Sequence, residues 1–125
     1  MSAHRTVTVQ TSDHGRLTIP EPVWCRSSHS VRTARADIHH EGAEHAATVD
    51  VAGFGPVRFL TAFLSQYPFA EFSDRGVWVA VEIEGEHHEF DPAGLDGLAA
   101  AIAAHVRTGL MPLRHRLAAL LEVAE

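Results

Sequence analysis

Polar and apolar residues alternate twice near the start of the chain, in Thr6-Val7-Thr8-Val9-Gln10-Thr11 and in Leu17-Thr18-Ile19, on either side of Asp13-His14-Gly15. A period of two is that of a strand with one buried face, and the Asp-x-Gly segment supplies a turn, so residues 6–20 predict a β-hairpin. Pro20 and Pro22 are expected to end its second strand, because proline cannot donate to a ladder. Thr48-Val49-Asp50-Val51 alternates again, Gly53-Phe54-Gly55-Pro56 reads as a turn, and the following residues from Val57 to Phe63 are β-branched and aromatic. The run at 57–66 fits a strand or a short buried helix, since its period does not decide between them. Val77, Val79, Val81 and Ile83 share one face with Glu82 and Glu84 on the other, which is the clearest strand signal in the chain.

Past Glu84-Gly85-Glu86 the period changes. Asp91-Pro92 combines an N-cap with proline at the first helical position, and Leu95, Leu98, Ala99, Ile102 and Val106 follow as one apolar helical face. Gly109 is expected to break this helix and Pro112 to open another, with Leu113, Leu117, Leu120 and Leu121 as a narrow stripe. That stripe suits packing within the chain or a homodimer contact. Strands first and helices last predict an α+β fold with an antiparallel sheet. Residues 1–109 are expected to form a single domain and 110–125 a C-terminal helical extension.

Between the hairpin and the later strands, residues 21–45 have neither period. They hold Cys25 and four of the ten histidines. An irregular loop of this length inside a compact domain usually has a function or a clip that holds it.

The 125 residues suit one domain, and 46% apolar with 21% charged residues is ordinary globular composition. No apolar run approaches the roughly 20 residues that span a bilayer, and MSAHRTVTVQ has no apolar signal core. The single cysteine excludes an intramolecular disulfide and fits a reducing compartment, so a cytoplasmic location is expected. All ten basic residues are Arg. Residues 1–35 carry five of them against Asp13 and Glu21, while the remainder carries five against fourteen acids. An acidic whole argues against broad nonspecific DNA binding, and the basic first third leaves room for a local anionic contact through Arg26, Arg32 and Arg35.

The chemistry concentrates in Trp24-Cys25-Arg26-Ser27-Ser28-His29 and Asp37-Ile38-His39-His40-Glu41-Gly42, with His45 beyond. Zinc takes four ligands at tetrahedral angles and prefers thiolate and imidazole, with carboxylate acceptable. Cys25-x3-His29 brings two donors from one tight turn to one ion, and either Asp37-x2-His40 or His40-x4-His45 offers a second pair. The bland alternatives are a buried Cys behaving as a small hydrophobe and a metal-free loop. A Cys-His nucleophile is weakly supported, because no orienting third group or oxyanion hole is legible. Glu82, Glu84, Glu86 and Glu89 read as a solvated sheet face, His87-His88 as a polar hairpin end, and Pro56 removes an amide that a phosphate cradle would use.

Pro22-x-Trp24-Cys25-x3-His29 followed by Asp37-x2-His40-x-Gly42 resembles a family of small actinobacterial domains of unknown function, found in Streptomyces-like bacteria. The resemblance covers roughly residues 6–106, and its specific part is 22–42. It implies Cys25, His29, Asp37 and His40 as the metal set, with Asp37 as an alternative partner orienting a histidine. Apart from the resemblance, His45 or His39 stands as the alternative fourth ligand. The resemblance implies one structural zinc per chain and brings no activity with it.

Three functions follow in order of preference. The first is a non-catalytic zinc-binding module acting as a regulatory protein-interaction domain. The second is a nucleic-acid-binding protein using Arg26, Arg32 and Arg35. The third is a metal-dependent hydrolase, which needs an open coordination position and a base such as Glu41 or Glu44.

Overall fold

A computed structural model describes residues 4–123. The fold is α+β, with antiparallel sheets followed by helix.

The predicted hairpin is formed by β1 (His4–Gln10) and β2 (Arg16–Pro22), paired antiparallel as a two-stranded sheet. Pro20 and Pro22 do not end β2: they pair with Thr6 and His4 inside the ladder. A two-stranded sheet gives β2 one neighbour only, so prolines whose missing N–H points away from β1 cost no ladder bond. The buried face of the hairpin carries Val9 and Ile19, which form a core with Ile38 from the following loop, flanked by Val7, Leu17 and Phe69.

The segment 21–45 is irregular apart from a 3₁₀ turn at Arg35–Asp37 and a short strand, β3 (His40–Glu41). It is nevertheless tied down. Thr11 and Thr33 form an isolated bridge, Ser12 donates its N–H to the Thr33 carbonyl at 2.9 Å, and the Arg35 N–H reaches Asp13 Oδ1 at 2.9 Å.

A five-stranded antiparallel sheet comprises β3, β4 (His45–Val51), β5 (Gly55–Gln66), β6 (Trp78–Ile83) and β7 (Glu86–Phe90). The ambiguous run at 57–66 is therefore strand. It is the longest strand, and β3 and β4 share one of its edges: His40 and Glu41 lie opposite Gln66 and Ser65, and β4 lies opposite residues 55–62. The register shifts between His45 and Ala47, where Leu60 takes a left-handed φ of 53° in a bulge of β5. On the other edge Phe63, Leu64 and Ser65 face Ala80, Val79 and Trp78. The two-residue turn between β6 and β7 holds Glu84 at φ 55° and Gly85 at φ 79°, the paired left-handed geometry that matches strand twist.

The chain divides into two compact units, residues 1–89 and 90–125. The second is helical. Asp91 caps α1 (Pro92–His105) by accepting the Gly94 N–H at 2.6 Å. The helix is not broken at Gly109. It passes through a π-helical turn (Val106–Leu110) into α2 (Met111–Val123). Proline at 112 has no N–H and its ring would collide with the carbonyl one α-turn back, so the widened turn before it resolves the conflict. Met111 donates its N–H to the Val106 carbonyl, five residues back. No helix is long and apolar enough to cross a membrane among the described residues.

Candidate metal centre

Leu17, Ile19 and Glu21 occupy alternate positions of β2 and so share the face turned to the core. Glu21 is buried there, and a carboxylate in such a place requires partners. Arg5 lies opposite it in the ladder, donates from Nε to Oε2 at 3.3 Å, and sends a second N–H to the Cys25 carbonyl at 2.9 Å.

Directly after β2 the chain turns back, with the Cys25 N–H on the Pro22 carbonyl at 3.0 Å and the Arg26 N–H on the Glu41 carbonyl at 2.7 Å. The turn encloses Cys25 completely, at 0% exposure. His29 has a left-handed φ of 51°, and its N–H is held by Ser27 Oγ at 3.1 Å. That conformation costs a non-glycine residue about 1–3 kcal/mol. It returns the ring to Glu21, with Nε2 2.5 Å from Oε1 and 3.8 Å from Cys25 Sγ.

His40 arrives from β3 and is 2% exposed. Its ring meets Trp24 edge-on at 6.3 Å and His29 at 5.5 Å. Gly42 makes this packing feasible: a Cβ there would stand 3.2 Å from the Leu64 Cβ and 3.6 Å from the Trp24 ring. His40 Nδ1 lies 3.9 Å from Glu21 Oε1 and has no hydrogen-bond partner among the described residues. A buried polar atom without a partner is uncommon in a folded chain.

Glu21, Cys25, His29 and His40 thus place one donor atom each within 4.8 Å of one another, and this set could hold a metal ion. Ligands at ordinary zinc distances in a tetrahedron are roughly 3.3–3.8 Å apart, so the cluster is close to a coordination shell and its His29–Glu21 edge is contracted. Burial, and then the charge of His29, lower His40 below the ordinary imidazole value, keeping a lone pair free. Burial and the hydrogen bond to Glu21 push the Cys25 thiol up. Burial alone would raise Glu21, but hydrogen bonds from Cys25, His29 and Arg5 outweigh it and hold the carboxyl below its ordinary value.

The structure brings Cys25, His29 and His40 together, and their fourth companion is Glu21 rather than Asp37. Asp37 is exposed on the 3₁₀ turn, because its neighbour Ile38 turns inward to Val9 and Ile19. His39 faces away from the cluster, stacked on Tyr67 at 4.1 Å, hydrogen-bonded to Ser65 Oγ, and with Nδ1 2.7 Å from Glu41 Oε1. His45 is exposed on β4. Glu44 pairs with Arg58 at 3.6 Å, so neither Glu41 nor Glu44 is in the cluster. The arginines of the loop are engaged within the chain: Arg26 on the carbonyls of Val23 and Cys25, Arg32 on that of Thr11, and Arg35 over the Phe69 ring at 4.2 Å. Glu21 had a signal in the sequence, as the inward-facing position that continues the Leu17–Ile19 row with a charge.

No curated protein and no solved structure matches this chain. A family model described as a domain of unknown function (DUF6907) matches residues 6–119, and the chain belongs to that family.

Proposed function

We propose that this domain is a structural zinc module, in which one ion held by Glu21, Cys25, His29 and His40 fastens the 21–45 loop to both sheets. The observation that carries this reading is the unpartnered Nδ1 of His40, buried among three other donor atoms within 4.8 Å. The donor set also favours zinc, which combines thiolate, imidazole and carboxylate ligands readily. Four protein donors leave a tetrahedral ion no position for water, so the ion supplies stability rather than Lewis-acid chemistry. Its ligands come from β2, the loop and β3, and the ligation by His40 joins β3 to the nearby trio of Glu21, Cys25 and His29.

Metal content of protein purified without chelator tests the proposal. About one zinc per chain is expected by elemental mass spectrometry. Metal-free protein with an ordered, protease-resistant loop at 21–45 would overturn it.

A further inference from the structure

The polar side chains on the opposite face of β3 form a second constellation. His39 Nδ1 is 2.7 Å from Glu41 Oε1, and His39 Nε2 is 2.6 Å from Ser65 Oγ. With a proton on Nδ1, facing the Glu41 carboxylate, Nε2 is left to accept the Ser65 hydroxyl proton. This is the hydroxyl–imidazole–carboxylate order that activates a serine, recognised by geometry rather than by position in a sequence. Ser65 and the His39 ring are held in place. Ser65 lies opposite Glu41 on one side and Trp78 on the other, and the His39 ring stacks on Tyr67 with 4° between planes. Although Ser65 is buried, it lines a cavity of about 280 Å³ together with His39, Glu41, Phe63, Tyr67 and His87.

We infer that Ser65 is a nucleophile for small carboxylic esters, with His39 as its base and Glu41 as the residue that positions the ring. The cavity suits a short acyl group with an aromatic or short apolar alcohol, since Phe63 and Tyr67 supply ring surface. Tyr67 and His87 also line the cavity, and their hydroxyl and imidazole are the donor types a developing oxyanion requires. Ser65 Oγ attacks the ester carbonyl and gives its proton to His39 Nε2. The ester C–O bond then breaks, and the departing alkoxide takes that proton and leaves as the alcohol. Water attacks the acyl-serine, loses a proton to His39, and the proton returns to Ser65 Oγ as the carboxylic acid departs. The zinc cluster contributes no atom to this sequence.

The test uses the full chain with p-nitrophenyl acetate for turnover and an alkyl fluorophosphonate for capture, which displaces fluoride to form a stable phosphonyl-serine. The expected result is one adduct per chain at Ser65, located by peptide mass spectrometry. Ser65→Ala should abolish the adduct, and His39→Gln should slow its formation about 100-fold or more. Glu41→Gln should slow it as well, with Glu41→Asp recovering much of the rate, a rescue that lost packing would not give. Folding of each variant is checked by circular dichroism and zinc content, which separates loss of this site from loss of the metal centre. An unlabelled Ser65 in folded wild-type protein, or labelling that His39→Gln leaves unchanged, would overturn the inference, and the wild-type result decides it even where a variant fails to fold.

Discussion

His39 and His40 are consecutive in the chain, yet the first bonds Ser65 Oγ at 2.6 Å while the second sends Nδ1 to within 3.9 Å of Glu21 Oε1. Extended backbone turns successive side chains to opposite faces. One short strand therefore serves two separate polar clusters, and whatever fixes β3 fixes both. With only His40 and Glu41 in the ladder to β5, that strand has little backbone pairing of its own.

Removing the thiolate should expose this dependence. Cys25→Ser is expected to cut zinc retention and lower the thermal midpoint. The loss corresponds to about 3–4 kcal/mol where free zinc stands at 100–1,000 times its dissociation constant. Limited proteolysis should then cut within 21–45, while β5, β6 and the C-terminal helix persist by circular dichroism. Global unfolding at room temperature would mean that the core of Val9, Ile19 and Ile38 is not self-sufficient.

The fourth ligand can be identified by a pair of substitutions. Glu21→Gln keeps the shape of the side chain and removes its charge, and it should weaken zinc binding beyond the roughly 10–100-fold that follows loss of an outer-shell partner. Asp37→Asn should leave zinc affinity unchanged, because Asp37 is exposed outside the cluster. Competition titration against a chromophoric chelator measures both, and the reverse ranking would restore Asp37 to the site.

What separates Glu21 from Cys25, His29 and His40 is residue type: a lone carboxylate in a strand signals a ligand far less than thiolate or imidazole does. Donors close in sequence announce themselves by spacing, and Cys25-x3-His29 is such a pair. Glu21 stands at the same spacing before Cys25, but its place in the cluster depends on the inward face it takes in β2 and on the turn at Pro22–Cys25, which a spacing rule does not weigh. The same limit applies elsewhere. The hairpin, the Val77–Ile83 strand and the Asp91-Pro92 helix start follow from local pattern and were legible. The survival of β2 through two prolines depends on there being no third strand, and β3 exists only because β5 offers it an edge. Ser65 carries no signal of its own in the sequence, since its partners His39 and Glu41 reach it only through strand pairing.

Metal-free protein should be stable over a bounded pH range. Burial holds His40 below its ordinary 6.5, so the unfolded chain binds a proton that the folded chain refuses, and stability falls as pH drops from 6.5 through the folded value. Burial raises Cys25 above its ordinary 9.0, so stability is complete below 9.0 and falls as pH rises through the folded value. Glu21 is held below 4.5 despite its burial, so its contribution is present above 4.5 and disappears as pH falls further. The thermal midpoint of chelator-treated protein should form a plateau between about pH 6.5 and 9. A midpoint that rises between pH 6.5 and 5 would mean a His40 charged in the folded state.

Asp91 offers a test of the second unit alone. Its carboxylate takes the Gly94 N–H at 2.6 Å and caps α1. Asp91→Ala should cost about 1 kcal/mol of helix stability. Hydrogen exchange in the first turn of α1 should quicken while the zinc content stays the same, and unchanged exchange would show that Pro92 alone sets the helix start.

The π turn at Val106–Leu110 has a consequence for chain length. A π turn accommodates one residue more than an α turn and then resumes the regular helix, so it is the structural equivalent of an insertion. Deleting one residue from 106–110 would therefore leave α2 facing as it does now relative to α1. The same deletion within regular α-helix would rotate everything beyond it by about 100°. A chain one residue shorter in this stretch keeps the leucine row of α2 in its present orientation only where position 112 is not proline, because the regular turn would bring the Pro112 ring back against the carbonyl one α-turn before it.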